Sequence, residues 1–125
     1  MNNQSIGKLG EQIAVSYLQK QGYKLVETNF YKHWGEIDIV AIDPKASGEK
    51  DVLVFVEVKT RMEYDFITPE ESISNKKIRS LKKTAEFYNN SHPHLPELLR
   101  IDFVGIVLDS FQKPLKINLI KNITG

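Results

Sequence analysis

The chain has no cysteine among its 125 residues, so neither a disulfide nor a zinc–thiolate centre is available. That absence suits a reducing cytoplasm, which is the location expected. No run approaches the roughly 18 to 20 apolar residues needed to cross a bilayer, and no apolar signal-peptide core follows Ser5. No membrane role is expected. Charge of one sign is missing too: the formal net charge is only +1, so no general basic field advertises a polyanion partner. Nucleic-acid binding would have to come from local clusters. There is no internal repeat and no low-complexity segment. The length fits a single domain, 1–125, and 41% hydrophobic against 26% charged residues is the balance of a globular chain rather than a disordered one.

What is present reads as helix, three strands, helix, two strands. Leu9, Ile13 and Tyr17, widened by Ala14 and Leu18, make an apolar stripe over about Gly7 to Gln21, and Gly22 stops that helix. Glu11 falls at the edge of the apolar arc and points toward the sheet. Strands follow over Tyr23–Tyr31, centred on Leu25 and Val26, and over Glu36–Ile42 after the Gly35 turn. The turn-rich stretch from Asp43 to Asp51 reads as a hairpin loop. Val52–Thr60 is nearly continuous in apolar residues and is the expected central strand. Thr68-Pro69-Glu70-Glu71 has the pattern of a capping box opening a helix. A longer helix is predicted from Asn75 to Asn90 on Ile78, Leu81, Ala85 and Tyr88, broken by Pro93 and Pro96. Strands over Leu98–Leu108 and Leu115–Ile120 complete a mixed α/β sheet.

Charges inside two of these strands carry the chemistry. Apolar strands seldom hold carboxylates unless they are paired or coordinate something. Glu57 and Lys59 share a strand face, with Cα atoms roughly 6 to 7 Å apart. A hairpin folded about Ser47 sets Asp38 close to opposite Glu57, where facing Cβ atoms are about 4.5 to 5.5 Å apart. Two carboxylates so placed raise each other's pKa unless a cation lies between them. With no sulfur or clustered histidine at hand, a hard divalent ion, Mg²⁺ or Mn²⁺, suits these oxygens, with Glu11 as a further ligand. The other reading is structural, with Lys59 pairing to Asp38 or Glu57. Spacing alone does not separate the two.

Lys76, Lys77, Arg79, Lys82 and Lys83 crowd the second long helix and would grip a phosphate backbone or form a solvated face. Arg61 would bind phosphate bidentately or pair with Glu63. Gly7 and Gly10 would admit a nucleic-acid backbone to the helix amides or serve packing on the sheet. Trp34 would pack at the core or rim, or stack with His33 on an unpaired base. Arg100 and Asp102, on one strand face, read as a structural ion pair. His92 and His94 are given no role.

Glu11, Asp38, Glu57 and Lys59 together resemble the PD-(D/E)xK nuclease superfamily, the restriction-endonuclease-like fold with its αβββαβ core. More closely, Gly7-Lys8-Leu9-Gly10-Glu11, Gly35-Glu36-Ile37-Asp38, Val56-Glu57-Val58-Lys59-Thr60-Arg61 and Arg100-Ile101-Asp102-Phe103 resemble the YraN-like family of bacterial proteins. The chain is also similar to archaeal Holliday junction resolvases. It departs from the superfamily signature at Ile37, where the name-giving proline would stand. The resemblance implies Asp38 and Glu57 as metal ligands, Lys59 as catalytic lysine and Glu11 as accessory acid. It implies a Mg²⁺- or Mn²⁺-dependent endonuclease acting on DNA, at branched or single-stranded structures, and allows a homodimer. The alternatives are a nucleic-acid-binding module that keeps the fold without turnover, and a partner-interaction subunit.

Overall fold

The computed structural model describes residues 5–48 and 50–124, with no side chain described at 45–47. The expectation for the extreme N-terminus and the place of Glu49 in the turn lie outside the described residues. Helix α1 spans Ile6–Lys20. Ser5 caps it by accepting the Lys8 amide at 3.1 Å, satisfying one of the unpaired first-turn N–H groups. The seam it presses on the sheet is Gly10, Ala14 and Leu18. Tyr17, expected in the stripe, lies off this seam and is only half-buried. Gly22, at φ 97°, turns the chain away from the helix end.

Strands β1 (Lys24–Lys32), β2 (Gly35–Ser47), β3 (Lys50–Met62), β4 (Leu99–Leu108) and β5 (Pro114–Ile120) form one sheet in sequence order, with α2 (Asn75–Ser91) between β3 and β4. Only β3 and β4 run parallel. A parallel pair needs a long crossover, and α2 supplies it. The expected αβββαβ order is therefore present, followed by one further antiparallel strand. Val52, Val54 and Val56 pack with Val104 and Ile106 under α1. Leu53 and Phe55 pack with Ile101 under α2. Strand β3 is buried on both faces, which is why its apolar run is nearly unbroken. No helix among the described residues is long and apolar enough to cross a membrane.

Three local expectations are corrected. The segment from Asp43 to Asp51 is not one long loop: β2 continues to Ser47, which pairs with Lys50 across a tight turn holding Gly48 at φ 68°. Asp43 and Pro44 are turn-formers, but here they sit at a ladder irregularity between Asp43 and Ser47, where proline is tolerated. In the first strand, Leu25 is exposed, and Tyr23, just before the strand begins, is buried instead. The Thr68–Glu71 capping box does form, with Thr68 Oγ1 accepting the Glu71 amide at 3.2 Å and Glu71 Oε1 accepting the Thr68 amide at 3.3 Å. It caps a single 3-10 turn, Glu70–Ser72, because Ile73 is already extended at ψ 127°.

At Gly10, α1 lies close against β3. A Cβ built there would lie 1.8 Å from Thr60 Oγ1 and 2.9 Å from Thr60 Cβ, and Gly10 is buried. Its place is under the sheet-facing side of the helix, so of the two sequence readings the packing one holds and the exposed-amide one does not. Gly10→Ala is expected to cost about 1–3 kcal/mol in urea unfolding, through overpacking. Adding Thr60→Ala to that variant should recover part of the loss.

Candidate active site

The β2–β3 ladder runs in step up to Ile39 opposite Val56. Just beyond it, the Val58 amide donates to Asp38 Oδ2 at 2.8 Å, a side chain taking the place of a ladder carbonyl. Ile37 packs with the α2-side cluster while Ile39, two residues on, packs on the α1 side. Regular strand alternation would put both on one face, so the strand's facing changes at Asp38. The register of the ladder sets Asp38 against Glu57, as the sequence led one to expect.

Glu57 is only 2% exposed, continuing the face of Phe55. Lys59 Nζ lies 3.6 Å from Glu57 Oε2. Lys77 Nζ, from the first turn of α2, lies 3.7 Å from the same oxygen and 4.0 Å from Glu36 Oε1. The other carboxylate oxygen, Oε1, is buried without a hydrogen-bond partner. Burial, reinforced by the charge of Asp38, pushes the Glu57 carboxyl up to about 7, and Lys77 and Lys59 only partly offset this. Glu11 reaches the site from α1 and accepts the Asn29 side-chain amide at 2.8 Å. Its carboxyl is also raised, first by burial and further by Asp38, against the lowering effect of that Asn29 bond. Asn29 holds a left-handed backbone, φ 57°, inside strand β1.

Two acids, Asp38 and Glu57, and two lysines from three elements thus meet where β2 and β3 separate, with Glu11 held to Asn29 and within electrostatic influence of Asp38. The cluster sets two carboxylates and two ammonium groups side by side on one partly buried surface. An orphaned carboxylate oxygen next to a second carboxylate fits a hard divalent ion, which needs only one or two protein carboxylates when water and substrate oxygens complete its shell. Among the described residues, however, no three acid or histidine side chains converge closely enough to cage an ion alone. The lysines on Glu57 neutralise it instead.

This electrostatic tension has a measurable consequence for the metal-free protein. Folding raises the Glu57 pKa, so its favourable contribution is complete below the unfolded glutamate value, about 4.3. It is lost as pH rises through about 7. In chelator, Glu57→Gln should match wild type near pH 5 and exceed it near pH 8 by about 1–3 kcal/mol, read from urea unfolding at both pH values. A variant weaker than wild type at pH 8 would mean that lysine attraction outweighs burial.

The remaining candidates are dispersed. Lys76, Arg79, Lys82 and Lys83 lie exposed along α2, with Lys83 Nζ 5.8 Å from the Trp34 ring centroid. Lys77 leaves that row and enters the site. Arg61 bonds Ser72 Oγ through Nε at 3.2 Å and Nη2 at 2.9 Å, while Glu63 accepts the Ser110 amide. The pairing of Arg61 with Glu63 is thus replaced. Trp34 packs edge-on against Phe87 at 5.2 Å, a rim position. His92 stacks on Tyr88 at 4.0 Å.

Arg100 and Asp102 form the expected ion pair within a larger buried network. Arg100 donates from Nε to Asp102 Oδ1 at 2.8 Å, and from Nη2 to Asp102 Oδ2 at 2.9 Å and Asp43 Oδ2 at 2.8 Å. The Tyr23 hydroxyl donates to Asp102 Oδ2 at 2.9 Å, and the Asn122 amide to Asp102 Oδ1 at 3.0 Å. Sequence reading missed Tyr23 and Asp43 here and Asn29 beside the site, and it placed Lys77 among the phosphate-gripping cations of the helix rather than on Glu57. Two local signals were available: an asparagine within a strand, where it is disfavoured, and a lysine in a helix first turn that contains no acid.

The molecule is an α/β protein whose five-stranded mixed sheet, flanked by two helices, carries an acid–lysine cluster at the parting of two strands. Residues 10–106 match the model of the Uncharacterised protein family UPF0102, the YraN family, and the chain belongs to it. It is 42% identical to the UPF0102 protein of Caldicellulosiruptor bescii over 123 residues, covering 98% of each chain. It is 40% identical to that of Syntrophomonas wolfei over 120 residues, covering 96% of this chain and 97% of the relative. Identity to the Dictyoglomus turgidum protein is 42% over 108 residues, 86% of each chain.

Proposed function

We propose that this chain is a metal-dependent endonuclease that hydrolyses DNA phosphodiester bonds, at branched or single-stranded structures. The observation that carries the reading is Glu57, buried beside Asp38 with one oxygen unpartnered and Lys59 on the same strand face. A module that only bound phosphate would gain nothing from converging carboxylates, which repel it in the absence of a cation. Asp38 and Glu57 would hold Mg²⁺ or Mn²⁺, with Glu11 contributing directly or through water. The ion would neutralise phosphate charge and acidify an attacking water. Lys59, 36% exposed, can reach the charge that builds on phosphorus's oxygens in the transition state. The exposed row Lys76, Arg79, Lys82 and Lys83 offers the flanking backbone a basic track, and its contribution should weaken with salt.

A second reading is a nucleic-acid-binding module without turnover. It is favoured by the lysines already paired on Glu57 and by the lack of a three-ligand cage among the described residues. Labelled single-stranded, duplex and four-way-junction DNA incubated with Mg²⁺ or Mn²⁺ separates the two. Metal-dependent cuts, lost in Glu57→Ala, support the nuclease. Binding without cutting, unaffected by that substitution, supports the module and overturns the nuclease.

A further inference from the structure

The sequence places Lys77 in a row of surface cations, but the structure removes it from that row. Its Nζ is 3.7 Å from Glu57 Oε2 and 4.0 Å from Glu36 Oε1, and its side chain is 27% exposed. Among the described residues it is, with Lys59, one of two cations within ion-pair distance of Glu57. The two lysines arrive from different elements: Lys59 from the strand that carries Glu57, Lys77 across the layer from α2.

A role in helix stability does not account for this position. Ser74 caps α2, its Oγ accepting the Lys77 amide at 3.1 Å, so Lys77 stands in the first turn. That turn contains no acid. A cation at a helix N-terminus opposes the macrodipole, at a cost of about 0.3–1 kcal/mol. The same location suits an anion, because the helix N-terminus and the ammonium both attract one. Glu57 and Glu36 supply negative charge to Lys77 in the metal-free protein.

We propose that Lys77 is a resident counter-ion of the acidic site, which a divalent ion displaces from Glu57 and thereby frees to contact the substrate's phosphate. The proposal rests on the nuclease reading for its second half only. Lys77 and Lys59 both lie on Oε2, while Oε1 has no hydrogen-bond partner, so the carboxylate keeps one oxygen for a further cation. Cation and ammonium compete for one carboxylate. Lys77 therefore opposes metal binding and, once released, lies within a side chain's reach of whatever anion accompanies the metal. Lys59 differs, because its place on β3 keeps it beside Glu57 in either state.

Two measurements test this, neither depending on activity alone. In chelator, thermal unfolding of wild type, Lys77→Met, Glu57→Gln and the double variant should show coupling, with Lys77→Met costing stability only where Glu57 is present. By titration calorimetry, Lys77→Met should bind Mn²⁺ more tightly than wild type, by about five- to ten-fold, while cutting DNA more slowly. Lys77→Arg should restore the wild-type Mn²⁺ affinity. A merely structural lysine would weaken or leave unchanged the binding of Mn²⁺, so tighter binding supports the proposal. Absence of coupling, or wild-type Mn²⁺ binding that Lys77→Met does not change, overturns it with the nuclease reading intact. A wild type that binds no Mn²⁺ overturns that reading and the displacement with it, and leaves only the ion pair measured by coupling.

Discussion

Lys59→Ala is expected to reduce metal-dependent DNA cleavage by about 10²–10³-fold, the scale on which one positioned charge contributes to a transition state. Fold and stability should scarcely change. Lys59 is 36% exposed and its ion-pair partner, Glu57 Oε2, is 3.6 Å away. Glu57 is buried, but Lys77 stays 3.7 Å from the same oxygen when Lys59 is removed, so the carboxylate is not stranded. Catalysis and stability therefore separate cleanly at this residue. The check is single-turnover cleavage at saturating Mn²⁺, with unfolding curves measured beside it. If Lys59→Ala cuts at the wild-type rate, the lysine serves ion pairing alone and the charge acting on phosphate must come from elsewhere, with Lys77 first in line. Glu57→Ala should be at least as severe, because it removes a ligand.

Arg100→Leu should have the opposite profile, a large loss of stability with the chemistry left intact in the molecules that remain folded. Asp102 has no exposure, and it keeps only the Tyr23 hydroxyl and the Asn122 amide when Arg100 is gone. Stranding a buried carboxylate in this way costs about 3–5 kcal/mol. That is a third or more of the total stability if the protein lies near the middle of the usual range of about 5–15 kcal/mol. Asp43 loses the same guanidinium and retains Lys121 at 3.6 Å. The double change Arg100→Leu with Asp102→Leu should be less damaging than Arg100→Leu alone, because no charge is left stranded. Urea unfolding of the three variants decides this. Equal losses in single and double variants would show that packing around Arg100, and not its charge, holds the sheet end together.

These residues lie one rung apart from the site yet belong to a different structure. Asp102 pairs with Val56, and Phe103 with Glu57. Asp102 turns to Tyr23 on the α1 side, whereas Glu57 follows Phe55 toward α2. Period-two alternation places Arg100 and Asp102 on one strand face, and from this their ion pair was legible. The size of their network was not. Asp43 sits in a turn-like run of sequence, and only the continuation of β2 through it, opposite Val52, sets it beside Arg100.

The order of elements, the central position of β3 and the meeting of Asp38 with Glu57 were determined by the sequence itself. Apolar periodicity leads to the first two, and a hairpin centred near Ser47 to the third, provided its register does not slip. The tightness of that turn, the single 3-10 turn at Glu70–Ser72 and the burial of Tyr23 were decided only on folding. There the local preference of a few residues yields to a whole sheet's register. The same holds for Lys77 and Asn29. Nothing in a helix or strand pattern specifies which side chain will cross from one layer to a carboxylate in the next. That depends on how α1 and α2 seat on opposite faces of the sheet, with Gly10 pressed against Thr60 and Leu81, Ala85 and Tyr88 buried under the other helix.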